Sequence, residues 1–189
     1  MKSMRLIYVL FFISISFALK GQEIPKYYDN PVLSGFNPDP SICRVNDDYY
    51  MVTSSFTWYP GIPIYHSKDL VNWEVIGHAI DRPDMIDMNG VNDNNGIWAV
   101  TIRYHNGIFY LITTAHKNGE NFYITATDPK GPWSAPVWLK DAAGIDPSLF
   151  WDDDGRCYYT GNFWDFKKSW PAQCAVWMQE LDLSQGKLV

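Results

Sequence analysis

Cysteine is scarce in this chain: Cys43, Cys157 and Cys174 are the only three among 189 residues. An odd number without close spacing makes a poor disulfide framework. Cys43 and Cys157 lie in apolar, strand-like segments, where a free thiol behaves as a small hydrophobe. No Cys-x-x-Cys or His-x-x-x-His pair occurs, so metal-ligand spacing is missing and no metal or other cofactor is expected. Basic clusters are missing too. Fifteen Lys and Arg stand against 21 Asp and Glu, a net charge of −6, and without a phosphate-neutralising patch nucleic acid is not an expected partner. Long apolar runs are confined to Leu6–Leu19, which follows the basic Lys2 and Arg5. That run is too short for a membrane span and reads as the core of a cleaved secretory signal over residues 1–21. The expected mature protein is therefore exported, periplasmic or extracellular, with no membrane span after cleavage.

Helical periodicity is also nearly absent from the rest of the chain, which consists of short alternating runs punctuated by turn residues. Three copies of one pattern superpose. Ser41–Val45 and Tyr49–Ser54 flank Asn46-Asp47-Asp48; Ala99–Tyr104 and Ile108–Thr113 flank Asn106-Gly107; Ser148–Trp151 and Arg156–Thr160 flank Asp153-Asp154-Gly155. Asn-Gly is a strong hairpin signal. A third strand follows each pair, at Ile62–His66, Asn121–Thr127 and Ala175–Leu181, and then an outer strand carrying Trp73, Trp133 or Leu188. Asp48 to Asp69 and Gly107 to Asp128 span the same 21 residues, whereas the third copy is longer, with Phe163–Pro171 as the expected insertion. Four strands per unit at a period of about 50 residues predict an all-β propeller, with blades at 37–77, 96–140 and 144–189 in a domain covering 22–189. A sandwich would not explain the equal spacings. Three blades leave open sheet edges, and Val189 falls within the third outer strand, so the domain is expected to be truncated at its C-terminus.

In a propeller the first strand of each blade lines the central channel. Asp39, Trp98 and Asp146 stand at the entry to that strand in successive repeats, within Asn37-Pro38-Asp39-Pro40-Ser41 and Gly144-Ile145-Asp146-Pro147-Ser148. Two carboxylates aimed at one centre, with no metal or nucleotide motif, suggest glycoside chemistry. An Asp-Pro-Ser alone reads as a turn aspartate bonded to its own backbone. Aromatic residues make up 16% of the chain, and most of them read as strand core. Trp98 and Phe56 carry two readings, sugar platform or core. Asp152-Asp153-Asp154-Gly155 lacks the further ligands and closing Glu of a calcium loop and reads as a solvated turn.

Four segments in order, Asn37–Arg44, Tyr49–Phe56, Pro60–Trp73 and Gly144–Phe150, closely resemble glycoside hydrolase family 43, in particular its β-xylosidase and α-L-arabinofuranosidase members. The likeness runs from about Asn30 to Val189. It implies a five-bladed propeller, of which this chain holds about the first three blades, and hydrolysis with inversion. The substrate implied is a xylo- or arabino-oligosaccharide. Residue by residue, the resemblance assigns Asp39 as the general base that activates water, and Asp146 as the carboxylate that orients the acid and tunes its pKa. Phe56 and Trp98 become walls around the terminal sugar, and Arg103 lies in the stretch after that Trp. Val100 stands where the family usually has Pro.

The chemistry suits these roles. Inversion needs a carboxylate on one sugar face and a carboxylic acid on the other, roughly 6.5–9.5 Å apart. An aspartate at its ordinary pKa of about 3.9 is ionised near neutrality, whereas an acid needs its pKa raised, for example by a neighbouring negative charge. The family's acid is a Glu in a Glu-Gly-Pro context. Glu23, Glu74, Glu120 and Glu180 all lack that context; Glu120, read as a loop residue, is the only remote candidate, and the acid is expected beyond Val189. Two alternatives remain open at this point: a non-catalytic carbohydrate-binding remnant, and a fructoside-cleaving five-bladed relative, whose Asn-Asp-Pro-Asn-Gly pattern differs in order and spacing. The choice between xyloside and arabinofuranoside is open as well.

Overall fold

The computed structural model describes residues 27–116, 120–164 and 167–189; the expected signal sequence, 1–21, and Glu23 lie outside them. Twelve strands form three four-stranded antiparallel sheets, each a simple meander. Sheet 1 contains β1 (Ser41–Val45), β2 (Asp48–Val52), β3 (Gly61–Ser67) and β4 (Glu74–Ile80). Sheet 2 contains β5 (Thr101–His105), β6 (Ile108–Ala115), β7 (Glu120–Ala126) and β8 (Val137–Leu139). Sheet 3 contains β9 (Ile145–Trp151), β10 (Cys157–Phe163), β11 (Ala175–Asp182) and β12 (Lys187–Leu188). Among the described residues no helix is long and apolar enough to cross a membrane.

Turn chemistry sets the registers. His105 pairs with Ile108 across Asn106-Gly107, whose φ values of 48° and 84° are those of the primed turn that matches strand twist. Val45 pairs with Asp48 across Asn46-Asp47, with Asn46 also at positive φ. The two equal spacings in the sequence are thus the same hairpin-plus-third-strand unit. In the third unit β10 runs to Phe163, so the extra residues lie after it, in the connection from 164 to 174. Trp133 is not in the outer strand as expected. It precedes β8 and is buried in the core between sheets 1 and 2, because a large aromatic there fills space that the short β8 does not reach.

Sheet 2 is covered on both faces. Along β6, Phe109 and Leu111 point into the core shared with sheet 1, whereas Tyr110 and Ile112 point into the core shared with sheet 3. The same alternation continues on β7, where Phe122 and Ile124 oppose Tyr123. Two-sided burial explains why β6 reads as a continuous apolar run instead of alternating. Each fully buried Leu, Ile or Phe contributes about 1.5–3 kcal/mol from area removed from water. On β11 the pattern reverts to alternation, and Val176 is 83% exposed.

At the narrow centre, β5 packs against both β1 and β9, and the contacts become polar. Ser41 Oγ accepts from the Ile102 amide at 3.2 Å, and the Thr101 hydroxyl donates to Pro147 O at 2.8 Å. At the rim, Phe56 and Ile97 exchange backbone hydrogen bonds of 2.9 and 3.0 Å, joining sheet 1 to the entry of β5. Gly96 makes this possible: at φ +93° an added Cβ would lie 2.3 Å from Phe56 O. Gly107, at φ +84°, has nothing within 4 Å. Gly107→Ala should therefore cost only the left-handed backbone penalty of about 1–2 kcal/mol. Gly96→Ala should cost at least about 3 kcal/mol, because the sheet-to-sheet bridge must also part. Urea denaturation midpoints of the two variants would check this; equal losses would remove the bridge from the account.

Candidate active site

Asp39, Trp98 and Asp146 stand at the same end of the three inner strands. Asp39 is two residues before β1, Trp98 three before β5, and Asp146 is the second residue of β9. The two aspartates share an unusual backbone, with φ at 53° for Asp39 and 54° for Asp146. Each is followed by proline, which disfavours helical backbone in the preceding residue and pushes it towards extended conformations. A left-handed conformation at both places is strained, and such strain persists only where the surroundings over-determine it. Phe56, a bulky residue at φ 49°, is a third such site.

The surroundings are specific. The Ser54 amide donates to Pro38 O at 3.0 Å, and the Ser54 hydroxyl donates to Asp39 Oδ2 at 2.6 Å. Ser54 is itself buried. In sheet 3 the corresponding side chain is that of Asn162 on β10, which acts to lower the Asp146 pKa. Gly144 is pressed onto the same strand so closely that a Cβ would sit 1.9 Å from Asn162 O. For Asp39 the donor that fixes the carboxylate thus comes from the segment just past β2. Neither Ser54 nor Asn162 was singled out by motif, although Ser54 stands two residues past the end of β2 and Asn162 next to the last residue of β10.

Asp146 senses the charge of Asp39. Partial burial first, and then the negative charge of Asp39, push the Asp146 pKa above the usual 3.8, partly offset by the Asn162 side chain. Burial and the charge of Asp146 likewise push up the phenol of Tyr159 on β10.

Aromatic side chains flank the pair. Phe36 stacks on Phe56 with ring centroids 6.0 Å apart, and meets Trp58 at 5.7 Å; Phe36 and Trp58 are both exposed. Phe36 was missed in the sequence, although it immediately precedes Asn37-Pro38-Asp39. Trp98 is half-buried and stacks on His116 at 4.0 Å and 16°. Its indole N–H donates to Asn94 O at 3.0 Å, which fixes the ring. A cleft of about 290 Å³ lined by Thr57, Trp58, Tyr59, Asp87 and Asn89, among others, opens beside the Phe56 loop, but neither aspartate lines it.

Arg103 points elsewhere. Its guanidinium donates to Leu149 O at 3.2 Å, Ser148 Oγ at 2.8 Å and Ile102 O at 2.9 Å. It thus clamps β5 to the Asp-Pro-Ser segment of β9, and burial lowers its pKa. Cys43, beside it on β1, is pushed up to about 12 by burial, with Arg103 pulling the other way; it is an unreactive thiol. Among the glutamates, Glu74 lies 3.3 Å from His66 and Glu180 lies 3.3 Å from Arg156. Glu120 is the first residue of β7, a strand position and not the loop expected.

The raised pKa of Asp146 has a consequence for stability. Because the folded chain holds this proton more tightly than the unfolded one, the carboxyl costs nothing below its unfolded pKa and destabilises the fold as pH rises through its folded pKa. Asp146→Asn should therefore be more stable than the parent at pH 7, and the advantage should fade as pH falls through the carboxylate range. Chemical denaturation at neutral and acidic pH would test this, and an advantage that persists at acidic pH would contradict the charge-based account.

A model of the glycosyl hydrolases family 43 matches residues 28–189. A xylosidase/arabinosidase of Butyrivibrio fibrisolvens is 52% identical over 168 residues, covering 85% of this chain and 32% of the relative. A non-reducing end alpha-L-arabinofuranosidase of Bacteroides ovatus is 50% identical over 138 residues, covering 71% of this chain and 26% of the relative. Among solved structures, a xylan beta-1,4-xylosidase from Bacillus halodurans superposes with a TM-score of 0.77 at 44% identity, covering 85% of this chain and 32% of that one. The chain thus spans between about a quarter and a third of the length of these relatives.

Proposed function

Because the chain belongs to glycosyl hydrolases family 43, we propose that it forms part of an exported, inverting exo-glycosidase with a five-bladed propeller, which releases terminal xylose or arabinose from plant-polysaccharide oligosaccharides. The observation that carries the reading is the pair of aspartates held in matching left-handed backbone at the mouths of two neighbouring inner strands.

Asp39 acts as general base. With Oδ2 anchored by the Ser54 hydroxyl, Oδ1 is the oxygen that takes a proton from water as that water attacks the anomeric carbon. The electron pair of the breaking glycosidic bond goes to the leaving oxygen, which an acid protonates from the opposite face. Asp146 stands beside the acid, and its negative charge raises the acid's pKa. Glu74 and Glu180 are engaged with His66 and Arg156 and Glu120 lacks the Glu-Gly-Pro context of the family's acid, so the proposal assigns the acid to a glutamate outside these 189 residues. Phe56 and Trp98 form apolar walls for the sugar ring, extended by Phe36. Arg103 enters as support for the β9 entry instead of a sugar contact, since its donors are engaged there. Residues 1–21 support export.

In the active protein that carries this chain, Asp39→Asn should lower kcat by about 10²–10⁴-fold, the usual contribution of a general base. Near-parental turnover on an aryl β-xyloside and an aryl α-L-arabinofuranoside would sink the assignment. Retention at the anomeric centre, followed by NMR, would replace the inverting scheme with a nucleophilic one.

A further inference from the structure

The segment that delivers Asp146 to the site, 140–144, links β8 to β9 across the gap between sheets 2 and 3. Its last three carbonyls are all captured from within the protein. The Asn121 side-chain amide donates to Ala142 O at 2.8 Å and Gly144 O at 3.1 Å, and the Trp177 indole N–H donates to Ala143 O at 3.2 Å. Asn121 Nδ2 also lies 2.9 Å from the Tyr159 hydroxyl, and Asn121 Oδ1 accepts from the Thr114 hydroxyl at 2.6 Å. Asn121 and Thr114 are both 0% exposed. A buried amide with all its polar atoms engaged has one orientation, because any other leaves polar atoms unpaired in a low-dielectric interior. Thr114 fixes which way it faces.

We propose that Asn121 is a positioning residue for the Asp146 carboxylate: one buried amide, on a different sheet from the aspartate, holds the strap that sets its left-handed backbone. The inference rests on the role given to Asp146 above. Asn121 touches no substrate atom. It acts through Gly144, whose φ of 91° and contact with β10 leave the two following residues little freedom, and through Tyr159, whose phenol feels the Asp146 charge. The groups that bear on the Asp146 charge are Asp39 from sheet 1 and Tyr159 and Asn162 from β10. If the strap loosens, Asp146, itself exposed, is no longer held towards Asp39, and the charge-based cause of its raised pKa weakens.

The test is an NMR pH titration of the Asp146 side-chain carboxyl in the active protein that carries this chain, with Asp182, held by its own turn, as the control. In Asn121→Leu, which keeps the volume and removes the donors, the Asp146 titration should return toward the ordinary carboxylate range while Asp182 stays put. A folded Asn121→Leu chain with an unchanged Asp146 titration overturns the proposal. Should that variant fail to fold, Thr114→Val removes only the hydroxyl that orients the amide. It should move Asp146 in the same direction by a smaller amount, and an unmoved Asp146 there overturns the proposal equally. In the active protein, Asn121→Leu should lower kcat by about tenfold with KM within about twofold, as expected for misaligned catalytic geometry. If Asp146→Asn proves fully active, the role of Asp146 fails while its coupling to Asn121 stands or falls by the titration alone.

Discussion

The structure depends on holding two aspartates in a backbone conformation that an isolated chain would avoid. Left-handed φ at a non-glycine residue costs on the order of 1–3 kcal/mol, and the following proline adds to the restriction. What the conformation achieves is direction: it turns the chain sharply just as it enters the inner strand, so that the carboxylate projects from the rim instead of lying in the sheet. The restraint comes from the second strand of the same sheet and its continuation. Ser54, just past β2, holds Asp39 by side chain and Pro38 by main chain, and β10 packs closely on Gly144, two residues before Asp146, through the Asn162 carbonyl.

Such restraint needs a rigid base, and the two-sided burial of sheet 2 supplies it. Large apolar side chains fill the wide spaces between sheets, whereas the inner strands approach one another through Ser41, Thr101 and Arg103. Small polar side chains suit that narrow region because they satisfy backbone groups that converging strands leave unpaired. Arg103 illustrates the economy of the arrangement. A guanidinium fork reaches a carbonyl and a hydroxyl on β9 together, directly after the aspartate it supports.

The three-unit plan was legible in the sequence because hairpins are local. Asn106-Gly107 and the equal 21-residue spacings are short-range signals, and they returned the right strand pairings. The entry positions of Asp39, Trp98 and Asp146 followed from the same repeats. The support around them was not legible. Asn121 reaches Ala142, Gly144 and Tyr159, partners on other segments whose separation in sequence reflects packing, not periodicity. Ser54 and Asn162 bear on the two aspartates with different side chains, so no repeated letter marks them. Trp133 was misplaced because aromatic content signals a strand as readily as a core residue ahead of one. For Arg103 the resemblance gave the position, but only the structure gives the direction of its side chain.

The repeat also shows why the middle sheet lacks a third aspartate. Carboxylates at all three strand entries would face one space, and like charges brought together oppose ionisation of each member. Asp39 already raises the pKa of Asp146, and a further carboxylate at position 98 would add to that effect. Trp98 instead brings an apolar wall, oriented by the Asn94 carbonyl and the His116 ring. The same backbone position thus serves charge in two sheets and shape in the third. The asymmetry between the units, more than the repeat itself, is what sets two carboxylates and an aromatic face at the ends of three similar strands.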